Sequence, residues 1–161
     1  MGVRVGDTAP ELALPDQDGR PWALSAFRGV RPVVLFFYPR AHTSGCTAQA
    51  CAFRDAYADF REAGAEVAGV SSDGRDRQRS FGSGNRLPFT LLCDEHGVAR
   101  RALGVPRTLW VLPGRTTYVI DASGVVRLVF NSQTEFGRHA AEALAVVRAL
   151  AGRAAEGGEH A

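Results

Sequence analysis

Six consecutive apolar or aromatic residues, Val33 to Tyr38 in RPVVLFFYP, stand between two prolines. A half-buried strand alternates apolar and polar side chains. This run does not, so it predicts a strand covered on both faces, with the prolines marking where pairing stops. Strands of that kind belong to sheets with helices on both sides. The rest of the chain must therefore supply neighbouring strands and flanking helices.

The downstream pattern meets that requirement. From about Thr47 to Ala63 the chain is rich in alanine and free of glycine and proline, and it sets Phe53, Tyr57 and Phe60 on one helical face before Gly64 ends it. AEVAGVSS reads as a second buried strand, and DGRDRQRSFGSGN as a polar helix closed by glycines and Asn85. FTLLCD reads as a third strand, with a short helix near GVARRALGV. TTYVID and VVRLVF, separated by ASG, predict a hairpin. A last helix over about 137–151 aligns Ala140, Ala143, Val147 and Leu150, and the small, polar GRAAEGGEHA after it, residues 152–161, is expected to fray. Ahead of the central strand, PDQDG and the polar residues around Trp22 suggest a hairpin laid over the body. The expected architecture is a single α/β domain over 1–161, three-layered, with a mixed central sheet flanked by helices and an N-terminal hairpin. FGSGN lacks the strand-before-helix setting of a phosphate loop and reads as a helix-ending turn.

A chain of 161 residues with 45% hydrophobic and 22% charged residues can bury a core without disulfide or metal staples. MGVRVGDTAPELALPDQDG has no apolar run behind a basic segment, and no stretch reaches transmembrane length, so a soluble cytoplasmic protein is expected. The net charge of +2 is spread along the chain and gives little support to nucleic-acid binding. All 19 cationic residues are arginine. The lack of lysine excludes a Walker-type phosphate loop, a Schiff-base lysine and a lysine general base.

Three cysteines in a reducing compartment do not make a disulfide framework, and Cys46, Cys51 and Cys93 show no zinc-ligand spacing, with only His42 and His96 nearby. No metal and no cofactor is expected. Cys46 falls where a core strand passes into a helix, the usual place for sites in open α/β sheets. A thiolate at a helix start beside a cation is a competent nucleophile at neutral pH. Thr43 supplies a hydroxyl able to donate to an oxygen substrate, the glycine of SGC allows close approach to backbone N–H groups, and Pro39 can wall off water. The alternative is that Cys46 is an inert space-filling thiol. Five residues of helix separate Cys46 from Cys51 by about 7.5 Å of rise, too far for a disulfide while the helix is intact. Cys46 points toward the sheet and Cys51 to the outer side, where it is either a redox partner or a solvent-facing residue without a role. Cys93 in TLLCDEHG reads as a packing residue at a strand end.

Pro39, Thr43 and Cys46 form P-x-x-x-T-x-x-C, which resembles the active-site signature of peroxiredoxins, thiol peroxidases with a thioredoxin-like fold. CTAQACAFRD, LPFTLLCDEHG, VPRTLWVLPGRTTYVIDASGVV and FNSQTEFGRHAAEAL extend the resemblance over about residues 3–151 to the Q-type branch, also called bacterioferritin comigratory protein. The resemblance implies that Cys46 is the peroxidatic cysteine, reducing hydrogen peroxide and organic hydroperoxides, and that Cys51 resolves its sulfenic acid as an intramolecular disulfide. Thioredoxin or a similar dithiol would recycle it, and the enzyme would be a monomer. The family's catalytic arginine falls on Arg115 in PGRTTYVID, where it would stabilise the thiolate and hold peroxide oxygens. His42, Ser44 and Ala48 depart from the commonest Q-type residues without removing a catalytic group, and His42 reads either as a solvated loop histidine or as a group that tunes the thiolate. Trp110, Leu112 and Pro113, next to Arg115, would line the entrance or pack.

Two other readings use the same fold. A thiol–disulfide oxidoreductase would carry Cys-x-x-Cys at the helix start, but position 49 is Gln. A redox sensor would use the same disulfide as a switch without turnover.

Overall fold

The computed structural model describes residues 2–108 and 112–159, with side chains left out at 107, 108, 112, 113 and 154–159. The run after Pro32 forms β3 (Val33–Phe37), and every residue in it is buried. The pleat sends Val34, Phe36 and Tyr38 to one face and Val33, Leu35 and Phe37 to the other, and each set joins a separate core cluster.

On the first face lie α1 (Ser44–Glu62), Phe81 of α2 (Arg75–Gly84), and α4 (Phe136–Glu159). The aromatic face of α1 is used as its spacing suggests: Phe53 stacks on Phe36 at 4.3 Å between ring centres and on Phe60 at 5.8 Å. On the second face lie Ala99 and Leu103 of α3 (Val98–Leu103) and the N-terminal segment around Leu12, Leu14 and Leu24. That segment contains the expected hairpin, β1 (Ala13–Pro15) antiparallel to β2 (Pro21–Ala23), with Leu14 opposite Trp22.

The central sheet is completed by β4 (Glu66–Ser71), β5 (Thr90–Cys93), β8 (Thr116–Ile120) and β9 (Val126–Asn131), in the order β5-β4-β3-β8-β9. β3, β4 and β5 are parallel, and β8 and β9 are antiparallel additions. The three-layer mixed architecture expected from the sequence is therefore present. Between α3 and β8, a small antiparallel pair, β6 (Arg107–Thr108) and β7 (Leu112–Pro113), gave no sequence signal because two residues show no periodicity. Trp110 lies outside the described residues, as do the side chains of Leu112 and Pro113.

Two helix limits differ from expectation. α1 begins at Ser44 rather than near Thr47, because extended Thr43 (φ −90°, ψ 153°) lets Ser44 and Gly45 enter the first turn. α4 continues to Glu159, past the end expected at 151, because the alanines of GRAAEGG sustain the helix despite its glycines.

Candidate active site

The sheet register brings distant segments to one pole. In the antiparallel pair, Phe37 faces Thr116, so Arg115 stands beside the point where the chain leaves β3 toward Pro39. In the parallel pair, Phe37 faces Val70, so the carboxyl end of β4 delivers Ser71 and Asp73 to the same pole. β5 ends there too, opposite Ser71, and Asp94 then accepts N–H bonds from Ala99 and Arg100 in the first turn of α3.

Cys46 is the third residue of α1 and only 1% exposed, packed in the cluster that contains Tyr38, Ala41, Ala50 and Phe53. One turn later Gln49 is fully buried, and its Oε1 accepts a 2.5 Å hydrogen bond from Arg115 Nη1. Arg115 is itself buried, with its guanidinium carbon 4.8 Å from the centre of the Phe136 ring. Arg115 Nε and Gln49 Nε2 are buried donors with no protein acceptor among the described residues. Cys46, Gln49 and Arg115 thus bring a buried thiol, a fixed cation and spare N–H donors to one helix start.

The loop from Pro39 to Thr43 is held from below. Asp73 accepts the Ala41 N–H at 2.6 Å, the Ser71 hydroxyl at 2.7 Å and Arg77 Nε at 2.9 Å, while Arg77 Nη2 donates to the Ala41 carbonyl at 2.9 Å. Burial alone would raise the Asp73 carboxyl, but these donors outweigh it and hold it below the usual carboxylate range. Pro39 is half-buried at the start of the loop. His42 takes φ 67°, uncommon for a side-chain-bearing residue, and sets its ring edge-on to Phe81 at 5.6 Å.

Thr43 is exposed, and its hydroxyl donates to the Arg40 carbonyl at 2.8 Å instead of standing free, because the turn at His42 folds residue 43 back over residue 40. It makes no side-chain cap on α1. Cys51 lies on the same unbroken helix as Cys46 and is half-buried rather than solvent-facing. Cys93 is buried, its thiol directed at the Asp16 carbonyl 3.7 Å away and pushed up to about 11 by burial and then by Glu95, Asp16 and Asp73. That is the inert packing residue the sequence suggested.

Gln49, Asp73 and Arg77 escaped sequence reading. Gln49 carried one usable signal, an uncharged polar residue three positions after Cys46 and so on the same inward helix face. A cavity of about 270 Å³ at the opposite pole, lined by Thr8, Glu11, Arg28 and Asp121 among others, holds no cysteine and lies at the amino end of β3. Among the described residues no group of His, Cys, Asp and Glu could hold a metal, and no helix is long and apolar enough to cross a membrane.

Comparison with known proteins places this site in context. The AhpC/TSA family profile matches residues 5–129. The chain is 50% identical over 149 residues to chloroplastic peroxiredoxin Q of Sedum lineare, covering 92% of this chain and 80% of that protein. Its fold superposes on peroxidoxin BcpB of Mycobacterium tuberculosis with a TM-score of 0.84 and 41% identity, covering 91% of this chain and 97% of the other. It also superposes on the Xanthomonas campestris bacterioferritin comigratory protein, described for its alkyl peroxide reduction activity, with a TM-score of 0.80 and 27% identity over 87% and 92% of the two chains.

Proposed function

The chain belongs to the peroxiredoxin family, in its Q-type branch, and is a thiol-dependent peroxidase; on that premise we propose that Cys46 is the peroxidatic nucleophile and Cys51 its resolving partner. The Cys46 thiolate attacks one oxygen of a hydroperoxide, the O–O bond breaks, and water or an alcohol leaves after taking a proton. Cys46 is left as a sulfenic acid. Charge develops on the leaving oxygen, and Arg115, held by Gln49 and Phe136 with Nε uncommitted, is the fixed donor able to meet it. This buried arginine beside the first turn of α1 is the observation that carries the reading. Pro39 shields the thiolate. The Thr43 hydroxyl, now on the Arg40 carbonyl, is a donor that could turn to a bound peroxide.

The second step requires movement. The Cys51 thiolate attacks the sulfenic sulfur and expels water, but α1 is continuous through both residues, which fixes them about 7.5 Å apart along the axis. The first turns must unwind, and α1 is suited to that because no side chain caps its amino end. A dithiol such as thioredoxin then reduces the disulfide. In this reading the enzyme works as a cytoplasmic monomer on hydrogen peroxide and organic hydroperoxides. Steady-state peroxide reduction with a thioredoxin system tests it. Cys46→Ser should abolish turnover, Cys51→Ser should leave a single oxidation of Cys46 with little recycling, and peptide mass spectrometry should find the Cys46 to Cys51 crosslink within one chain. Full turnover by Cys46→Ser, or an oxidised wild type without that crosslink, overturns it.

A further inference from the structure

Two adjacent arginines in GVARRALGV have different fates. Arg101 is exposed and donates to the His96 carbonyl at 2.8 Å. Arg100 turns inward, placing Nη2 2.7 Å from the Tyr38 carbonyl and Nη1 3.2 Å from the Gly114 carbonyl, with its guanidinium 5.5 Å from the centre of the Phe37 ring. Tyr38 immediately precedes Pro39, where the loop to Cys46 begins, and Gly114 immediately precedes Arg115. One planar fork therefore ties together the two backbones that carry the nucleophile and its arginine. Its third nitrogen, Nε, is buried without a protein acceptor among the described residues.

We propose that Arg100 is a second cation of the active site, a positioning residue that fixes the Cys46 loop relative to Arg115 and whose charge favours the Cys46 thiolate over the thiol. The proposal rests on Cys46 being the peroxidatic cysteine. Both hydrogen-bond partners of the Arg100 guanidinium are neutral carbonyls, so its charge acts on the carboxylates and thiol around it. Burial pulls the guanidinium down from its ordinary range, and Asp94, Cys46, Tyr38 and Asp73 oppose that effect, in that order. Asp94 is spoken for by the N–H groups of α3, and Asp73 by Ala41, Ser71 and Arg77. Tyr38 donates its hydroxyl to Gln78, and burial drives its ionisation far above neutrality, so it remains uncharged. Cys46 is the group in this set whose charge changes during peroxide reduction. The thiolate and Arg100 therefore stabilise each other, while the fork controls geometry.

The two contributions separate experimentally in a Cys51→Ser, Cys93→Ser background, where Cys46 is the sole thiol and its single oxidation by hydrogen peroxide is followed against pH. Arg100→Met loses both the charge and the fork; the rate near pH 7 should fall by about tenfold or more and rise with pH only toward the lowered plateau of Arg100→Lys, with the profile displaced upward by about one unit. Arg100→Lys keeps the charge and loses the fork, so the profile should stay in place with a lower plateau. An Arg100→Met rate equal to wild type, or one reduced equally at every pH, overturns the thiolate role. An Arg100→Lys plateau equal to wild type overturns the positioning role, and this variant decides alone if Arg100→Met does not fold, since a displaced profile with the charge retained also refutes the proposal. Cys46→Ser in the same background is the control: continued peroxide reaction there would refute Cys46 as nucleophile, a failure distinct from that of Arg100.

Discussion

Gly45 lies against the Arg115 guanidinium: a methyl group at residue 45 would stand 3.1 Å from Arg115 Nη2 and 2.9 Å from Cζ of Phe136, the ring on which that guanidinium rests. Glycine in a helix costs about 1 kcal/mol relative to alanine, and here the space it leaves is filled by Arg115 and its Phe136 platform. Gly45→Ala should therefore keep or slightly raise the urea midpoint, because the ring edge can swing aside, while kcat/KM for peroxide falls roughly tenfold as Arg115 is displaced. A variant that loses stability but keeps kcat/KM would contradict this arrangement.

Asp73 acts on the same site from the other side, accepting the Ala41 N–H directly and holding Arg77, which donates to the Ala41 carbonyl. Replacing it by Asn weakens three hydrogen bonds and removes the charge partner of Arg77, so a loss of about 1–3 kcal/mol is expected by denaturant titration. The pH dependence gives the sign. Because the folded carboxyl is held below its unfolded value of about 3.9, its contribution is present above that pH and is lost as pH falls through the folded value. Wild type should therefore lose stability more steeply than Asp73→Asn below about pH 4; parallel curves would show that Asp73 carries no such contribution.

What was legible in the sequence follows from what periodicity records. The unbroken run from Val33 and the spacing of Phe53, Tyr57 and Phe60 are burial patterns, and they led to the sheet, to α1 and to the pole where Cys46 lies. Gln49, Gln78, Asp73 and Arg100 are polar residues turned inward, and the polar letters around them read as a solvated face. Gln78 is fully buried in a helix whose sequence is polar apart from Phe81 and its glycines, because only the fold reveals that the Tyr38 hydroxyl and the Leu92 carbonyl await it. Arg115 could be singled out among 19 arginines only through the family resemblance. Its partners come from α1 and α4, far away in sequence.

His139 should make the protein sensitive to mild acid. Its Nε2 lies 2.8 Å from the Ser132 carbonyl, which can only accept, so Nε2 carries the proton and Nδ1 accepts from the Thr117 hydroxyl at 2.8 Å. Burial pulls the imidazole below its usual 6.5, the Ser132 carbonyl and Glu135 oppose this, and the charge of Arg115 adds to it. The unfolded chain therefore takes up a proton that the folded chain refuses, and stability falls as pH drops below about 6.5 toward the folded value. The urea midpoint of wild type should decline between about pH 7 and pH 5, and His139→Gln should flatten that decline. An equal slope in the variant would assign the acid sensitivity elsewhere.

Gly114 provides the contrast to Gly45. A Cβ there would lie 1.9 Å from the Pro106 carbonyl oxygen and 3.0 Å from its carbon, atoms of a backbone that cannot rotate away. Gly114→Ala must therefore move the start of β8, shifting Arg115 and withdrawing the carbonyl that Arg100 grasps. A loss of about 2 kcal/mol or more is expected, together with a fall in kcat/KM in whatever protein remains folded. The pair of glycines then separates by mechanism: Gly45→Ala should cost activity with little stability, and Gly114→Ala both. Should thermal and urea denaturation show Gly114→Ala to be the more stable of the two, the close backbone approach at Pro106 would not be what holds Arg115 in place.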